Sequence, residues 1–76
     1  MDYVRMGDIL RERRAEYGLT ERQLAKFVGI SPVYYSQIER GVCHIDLETL
    51  VKLAEALRLS VDELLDLKNR RMYLDG

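Results

Sequence analysis

The stretch GISPVYYSQIERG, residues 29–41, decides how this chain folds. Ser31 followed by Pro32 is the pattern of an N-cap and the first residue of a helix. Gly41 is the residue type that most often ends a helix, since it adopts the left-handed conformation at no steric cost. The stretch therefore predicts a short helix that begins at Pro32 and ends before Gly41.

Another helix precedes this one after a very short link. Thr20 and Gln23 have the spacing of a capping box, and Gly29 is expected to end the helix. Two helices joined by a link as short as residues 29–31 must cross at a large angle, which is the arrangement of a helix-turn-helix. The residues expected to face inward are apolar or small: Leu24, Ala25, Val28, Ile30, Tyr35 and Ile38.

Helical spacing recurs in the rest of the chain, and strand-like alternation is absent. The first segment ends at Gly18, and its expected apolar face contains Met6, Ile9, Leu10, Arg14 and Tyr17. A fourth helix is expected to start at Asp46, and its expected apolar face contains Leu47, Leu50, Val51, Ala54 and Leu57.

Ser60 and Glu63 form another capping box, which predicts a short fifth helix. Each helix has a single apolar face, so the helices must pack on a shared core. We therefore expect an all-α, compact five-helix bundle that forms one domain over residues 1–67. Residues 68–76 are expected to extend the last helix or to form a tail.

Two segments carry a resemblance to a known family: LTERQLAKFVGISPVYYSQIERG, residues 19–41, and LETLVKLAEALRLSVDELL, residues 47–65. They resemble the Cro/phage-repressor-like (XRE) helix-turn-helix family over about residues 6–67. The resemblance implies a lambda-repressor-like DNA-binding domain whose third helix lies in the major groove. It also implies a sequence-specific, double-stranded DNA-binding transcriptional regulator, which we expect to act as a homodimer on a palindromic operator because a single small module binds weakly.

The sequence departs from the family pattern at four places. Glu21 stands where a phosphate-contacting glutamine is common, and Tyr35 replaces an aliphatic core residue. Val42 and Cys43 occupy a loop that is often rich in Lys or Arg, and Arg13 stands where an aliphatic residue is common. The first and third departures remove favourable phosphate contacts, so affinity is expected to depend on dimerisation.

The third helix has a predicted outer face. If Tyr35 and Ile38 face the core, helical geometry places Val33, Ser36, Gln37 and Arg40 on the opposite side. Such a face is either simply solvated or functional, and the helix-turn-helix context favours function. The resemblance implies base contacts from Pro32, Val33 and Gln37. Gln can pair with adenine, Val can meet a thymine methyl, and Ser36 can bond to bases or phosphate.

Five residues are phosphate candidates. Thr20 starts the second helix, whose free amides and positive dipole end suit an anion. Arg40 and His44 flank the loop after the third helix, and Arg14 is considered below. Two interpretations are open for Tyr34, whose hydroxyl either reaches phosphate or belongs to a ring that covers the core.

His44 has further interpretations. A surface histidine is favoured over a metal ligand, because Cys43 and Asp46 nearby lack a zinc-like spacing. We therefore expect no metal site. Cys43, the only cysteine of the chain, is either a redox sensor near the DNA-binding loop or a passive cysteine. The passive interpretation is favoured, since no second cysteine is present to resolve an oxidised thiol.

Arg14 and Glu39 call for a joint explanation. Arg14 falls on the apolar face of the first helix, where a lone charge is costly. Glu39 follows core residue Ile38 near the end of the third helix. The resemblance implies an ion pair between the two helices. We expect Arg14 to orient the third helix through Glu39 and to offer a spare donor to phosphate.

Composition restricts the remaining possibilities. The chain has 76 residues and a formal net charge of −1, with 33% charged residues, as in an ordinary globular domain. Neither an apolar run near the length of a membrane span nor a signal-peptide pattern is present, so a cytoplasmic location is expected. One His, one Cys and no placed carboxylate pair argue against an enzyme. No cofactor, small-molecule ligand or membrane partner is indicated.

A second function class stays open. The acidic net charge and the weakly basic loop at residues 42–44 also fit an antitoxin-like or regulatory protein-interaction module that keeps the fold with weak or no DNA binding. For a DNA-binding dimer, the expected contact surface is the fifth helix and the apolar tail residues Met72, Tyr73 and Leu74.

Overall fold

The computed structural model describes residues 1–65 of the chain. Within these residues the fold is all-helical, as predicted. Its helices are α1 (Tyr3–Glu16), α2 (Glu21–Val28), α3 (Pro32–Arg40), α4 (Leu47–Leu57) and α5 (Val61–Leu65). Residues 66 and 67 of the predicted domain, the expected extension at 68–76 and the apolar tail residues Met72, Tyr73 and Leu74 lie outside the described residues.

A side-chain oxygen caps the start of every helix in residues 1–65. Each capping group accepts a hydrogen bond from the amide three residues later, at 2.7–3.1 Å. These caps supply partners for amides that have none inside the helix. The capping residues are Asp2, Thr20, Ser31, Asp46 and Ser60.

Glycine and one arginine end the middle helices. Gly29 follows α2 with a φ of 82°, and Gly41 follows α3 with a φ of 72°, as predicted. Arg58 ends α4 with a φ of 55° and is the one non-glycine residue with a positive φ among residues 1–65. An L side chain is strained in this left-handed region.

All five helices contribute to one core. Its fully or almost fully buried apolar side chains are Met6, Leu10, Leu24, Ala25, Val28, Tyr35, Ile38, Leu50, Leu53, Ala54, Leu57 and Leu64. The core therefore lies between α3 and the other helices and contacts the inner side of α3.

No helix within residues 1–65 is long and apolar enough to cross a membrane.

The predicted apolar face of α4 was partly wrong. Leu47 is 72% exposed and Val51 is 37% exposed, whereas Leu53, which the prediction left out, is fully buried. The buried set runs through Leu50, Leu53 and Leu57, at the i, i+3 and i+7 spacing of a helix face. Leu47 lies in the first turn of α4, on the solvent side of this face.

The predicted apolar face of α1 was wrong at its end. Tyr17 lies just beyond the last residue of α1, and its ring is exposed. The hydroxyl of Tyr17 donates to the carbonyl of Leu57 at 3.1 Å. Tyr17 therefore joins α1 to the end of α4 through a hydrogen bond instead of packing in the core.

Candidate nucleic-acid interface

The turn between α2 and α3 sets the direction of α3. The amides of Gly29 and Ile30 both donate to the carbonyl of Ala25, at 2.9 and 3.0 Å. Ala25 is fully buried, and its small side chain permits the close crossing of the two helices. The hydroxyl of Ser31 then accepts the amide of Tyr34 at 3.1 Å, so that α3 starts directly after the turn.

Helix α3 is anchored by its inner face. Tyr35 and Ile38 are buried in the core. The side chains of Val33, Gln37 and Arg40 are exposed, and Val33 is 69% exposed. The predicted division of α3 into an inner and an outer face is therefore present. Exposed and half-buried positions on or beside its outer face are Pro32, Val33, Ser36, Gln37 and Arg40.

Ser36 is less accessible than its neighbours on this face. It is half-buried, whereas Pro32, Val33, Gln37 and Arg40 are exposed. In the helical projection the short Ser36 side chain lies at the edge of this face, with Val33 between it and Gln37. A base or phosphate contact from Ser36 therefore requires a close approach to α3.

The start of α2 is capped by the side chains of Thr20 and Gln23. Thr20 Oγ1 accepts the amide of Gln23 at 3.0 Å, and the amide of Thr20 donates to Gln23 Oε1 at 2.9 Å. The predicted capping box is therefore formed. It leaves the first amides of α2, at Glu21 and Arg22, at the positive end of the helix dipole.

Arg14 and Glu39 form a bidentate ion pair between α1 and α3, as predicted. Arg14 Nε donates to Glu39 Oε2 at 2.6 Å, and Arg14 Nη2 donates to Glu39 Oε1 at 3.2 Å. The Glu39 side chain is 5% exposed and that of Arg14 is 16% exposed. This pair is shielded from solvent and fixes α3 against α1.

Two further groups complete the ion pair, and the sequence did not predict either of them. Arg14 Nη1 donates to the carbonyl of Leu19 at 2.7 Å. The hydroxyl of Tyr35 donates to Glu39 Oε2. The hydrogen bond to Glu39 raises the pKa of Arg14. Burial, together with the hydrogen bond to the Glu39 carboxylate, raises the pKa of the Tyr35 hydroxyl far above its usual range.

His44 and Tyr34 have contacts of their own. The Tyr3 hydroxyl lies 3.3 Å from His44 Nδ1, and the two rings are tilted by 47° at a centroid distance of 5.2 Å. His44 is exposed in the loop after α3. Tyr34 is half-buried, and its ring packs against the core. The predicted contact with phosphate therefore involves only the Tyr34 hydroxyl.

The loop after α3 has little positive charge. Val42 is 61% exposed, and Cys43 is half-buried against the core. Across residues 1–65, no group of three or more His, Cys, Asp or Glu side chains is arranged to hold a metal ion. Near the end of α3, the exposed polar side chains that could reach DNA are Arg40, on the helix, and His44, in the loop.

Arg13 has a role that the sequence did not reveal. Its Nη1 donates to the carbonyls of Leu57 and Arg58, at 2.9 and 3.2 Å. These carbonyls lie at the C-terminal end of α4, where backbone acceptors lack partners and a positive charge is favoured. Arg13 therefore caps α4 from α1. No pattern within α1 alone indicates this contact, because its partner lies more than 40 residues away.

A model of the family described as Helix-turn-helix matches residues 10–64. The chain belongs to the Cro/phage-repressor-like helix-turn-helix family. A relative in Bacillus subtilis, the SPbeta prophage-derived uncharacterized HTH-type transcriptional regulator YonR, is 35% identical over 91% of this chain and 64% of its own length. The chain covers 41–64% of the length of the curated relatives that it matches first, which is less than two thirds.

Solved structures of the helix-turn-helix family have the same fold. The clp gene regulator ClgR of Corynebacterium glutamicum superimposes with a TM-score of 0.80 and 35% identity, over 99% of this chain and 80% of that one. The c2 repressor of Salmonella phage P22, in complex with a synthetic operator, gives a TM-score of 0.74 and 39% identity over 78% of this chain and 89% of that one. The match supports the lambda-repressor-like bundle predicted from the sequence.

Proposed function

We propose that this helix-turn-helix protein is a sequence-specific, double-stranded DNA-binding transcriptional regulator that inserts α3 into the major groove. The observation that carries the proposal is the division of α3 into two faces. Tyr35 and Ile38 are buried, and Val33, Gln37 and Arg40 are exposed on the other side. A major groove is wide enough to admit one helix, which brings such a face to the base edges.

The side chains of α3 suit different parts of the duplex. The amide of Gln37 has a donor and an acceptor for adenine, and Val33 and Pro32 are apolar partners for a thymine methyl. Ser36 has a hydroxyl for bases or phosphate. These residues are the proposed base contacts, and each good bidentate pair contributes about 1–3 kcal/mol of discrimination.

The proposed phosphate contacts surround the base-reading face. They lie at the start of α2, on α3 and in the loop that follows it, and on the guanidinium group of α1 that pairs with α3. The start of α2 provides the Thr20 hydroxyl and the first backbone amides. The Arg14 guanidinium provides the N–H groups that do not bond to Glu39 or Leu19. The residues are Thr20, Tyr34, Arg40, His44 and Arg14.

A homodimer on a palindromic operator is the proposed assembly. A single small module has few phosphate contacts, and the second copy doubles both the charge contacts and the number of base pairs read. Half-sites in such an operator are expected about 34–36 Å apart, or at a multiple of this distance, because equivalent groove faces recur once per DNA turn. The P22 c2 repressor, solved in complex with a synthetic operator, supports operator binding by a chain of this fold.

Selection of bound sequences from a random duplex pool tests the proposal. The pool should converge on one sequence with twofold symmetry, and affinity for the selected duplex should fall steeply with rising salt because released counterions oppose binding. Weak and equal binding to selected and scrambled duplexes would contradict it. That result would instead support the alternative of an antitoxin-like or regulatory interaction module.

A further inference from the structure

One guanidinium contacts both elements that the proposed function places on DNA. Arg14 Nη1 donates to the carbonyl of Leu19, the residue directly before Thr20 at the α2 start. Arg14 Nε and Nη2 donate to Glu39 on α3. In addition to the turn between α2 and α3, a single planar group therefore links the α2 start to α3, and its donors have fixed directions.

Glu39 is itself held from within α3. The hydroxyl of Tyr35, one helical turn before it, donates to Glu39 Oε2, the oxygen that also accepts Arg14 Nε. Tyr35 is fully buried and Glu39 is almost fully buried. With this hydroxyl in place, the carboxylate is restrained by its own helix as well as by α1.

The hydroxyl is more than a means of filling the core. A phenylalanine would bury the same ring without placing a polar group in the interior, and a buried hydroxyl is unfavourable unless it is hydrogen-bonded. A glutamate side chain has several rotatable bonds, so a bond from Arg14 alone leaves the angle of α3 less restricted. Tyr35 removes this freedom by restraining the carboxylate from a position on the same helix.

We propose that Tyr35 is a positioning residue for DNA recognition, which acts by holding the Glu39 carboxylate so that Arg14 sets α3 and the α2 start at one relative orientation. In that orientation the base contacts of α3 and the phosphate contacts of α2 meet the same duplex. This inference rests on the proposed function and deepens it. Phosphate contacts tolerate a change in the angle of α3 better than base contacts do, because hydrogen bonds to base edges require a narrower geometry than attraction between charges.

The variant that tests this role is Tyr35→Phe, with Tyr17→Phe as its matched control. Both remove a single hydroxyl that donates a hydrogen bond, and the Tyr17 hydroxyl bonds to the Leu57 carbonyl, away from α2 and α3. Tyr35→Phe should bind the selected operator about tenfold more weakly, because binding must then restore an orientation of α3 that the free protein no longer holds. Its binding to a scrambled duplex should fall by much less, and Tyr17→Phe should leave both affinities unchanged.

A measurement on the free proteins separates positioning from folding and from the proposed function. Residual dipolar couplings of the backbone amides report the angle between α2 and α3, and their fit to a helical geometry shows that each helix is folded. Tyr35→Phe should change this angle, and Tyr17→Phe should not. An unchanged angle overturns the positioning role, and so does a changed angle with an unaltered ratio of operator to scrambled affinity.

A wild-type protein that does not distinguish the two duplexes has a different meaning. It refutes the proposed function, and with it the role of Tyr35 in recognition, even if the couplings show that its hydroxyl sets the helix angle. A wild-type protein that distinguishes them, together with an unaltered Tyr35→Phe variant, refutes the role of Tyr35 alone. The two failures are therefore distinguishable.

Discussion

Gly7 of α1 lies directly against the backbone of Glu39 in α3. A Cβ atom at residue 7 would lie 2.7 Å from the carbonyl carbon of Glu39 and closer still to its oxygen. Gly41 has the reciprocal relationship with α1, since a Cβ there would lie 2.7 Å from Val4 Cα. The two helices therefore touch backbone to backbone at the end of α3 that carries Arg40.

Replacing Gly7 with alanine should destabilise the protein. Alanine is the better helix former by about 1 kcal/mol, but the added methyl group meets the Glu39 backbone, and such overpacking costs about 1–3 kcal/mol. Urea unfolding of Gly7→Ala measures the net change. Glu12→Ala, at an exposed position of the same helix, is the control. A rise in the stability of Gly7→Ala would show that α1 and α3 are farther apart than described.

Arg14→Ala should lower the free energy of unfolding by about 3–5 kcal/mol, because it leaves the buried carboxylate of Glu39 without its charged partner. Arg11→Ala is the control, since Arg11 pairs with Asp8 at 2.8 Å on the surface and an exposed pair contributes about 0–1 kcal/mol. Urea unfolding gives both values. Equal small losses would contradict the role of the Arg14–Glu39 pair.

The sequence predicted the features of the fold that depend on neighbouring residues. A cap acts on an amide three residues away, so Ser31 and Thr20 could be identified from spacing alone. Gly29 and Gly41 could be identified because the left-handed position after a helix favours glycine. These local features set the start and end of α3, and with them its outer face.

The features that the sequence did not predict depend on distant parts of the chain. Leu47 and Leu53 both fit an apolar face of α4, and only packing against the other helices decides that Leu53 is buried. The bond from Arg13 to the Leu57 carbonyl and that from Arg14 to the Leu19 carbonyl involve backbone acceptors, which have no signature in the sequence. The contact of Tyr35 with Glu39 also has no signature in the sequence, because the inward spacing of Tyr35 accounts for its ring and not for its hydroxyl.

Arg58→Gly should stabilise the protein. Arg58 has a φ of 55°, and this left-handed conformation costs an L residue about 1–2 kcal/mol. Glycine removes this strain but gains freedom in the unfolded chain, so a net increase of about 0.5–1 kcal/mol is expected. Urea unfolding measures it. Arg58→Ala keeps the strained backbone and should not stabilise the protein. Equal increases in stability for both variants would show that the effect comes from the lost charge and not from relief of strain.

Stability should decrease in acid partly through Asp46. The Thr49 amide donates to its carboxylate at 2.7 Å and thereby lowers the pKa of Asp46. A carboxyl group with a lowered pKa in the folded state stabilises the protein above its unfolded pKa, about 3.9, and this contribution is lost as the pH falls through the folded value.

Thermal unfolding of wild type and Asp46→Asn over a pH series measures this contribution. Asparagine also caps a helix but does not titrate, so the difference in Tm between the two proteins should be constant near neutral pH and should shrink below about pH 4. A difference that does not change down to the most acidic folded sample would show that the pKa of Asp46 is the same in the folded and unfolded chains.

Gln37 and Arg40, both exposed on α3, should affect DNA binding in different ways. Gln37→Ala should cost about 1–3 kcal/mol on the selected operator and relax the preference at one base pair, because it removes a base contact. Arg40→Ala should weaken binding to all duplexes alike and reduce the slope of log K against log salt by about 1, because it removes a phosphate contact. Titrations with single-base-pair variants of the operator at several salt concentrations measure both effects, and each variant serves as the control for the other. A uniform loss for Gln37→Ala, or a base-pair-specific loss for Arg40→Ala, would contradict the proposed orientation of α3 in the groove.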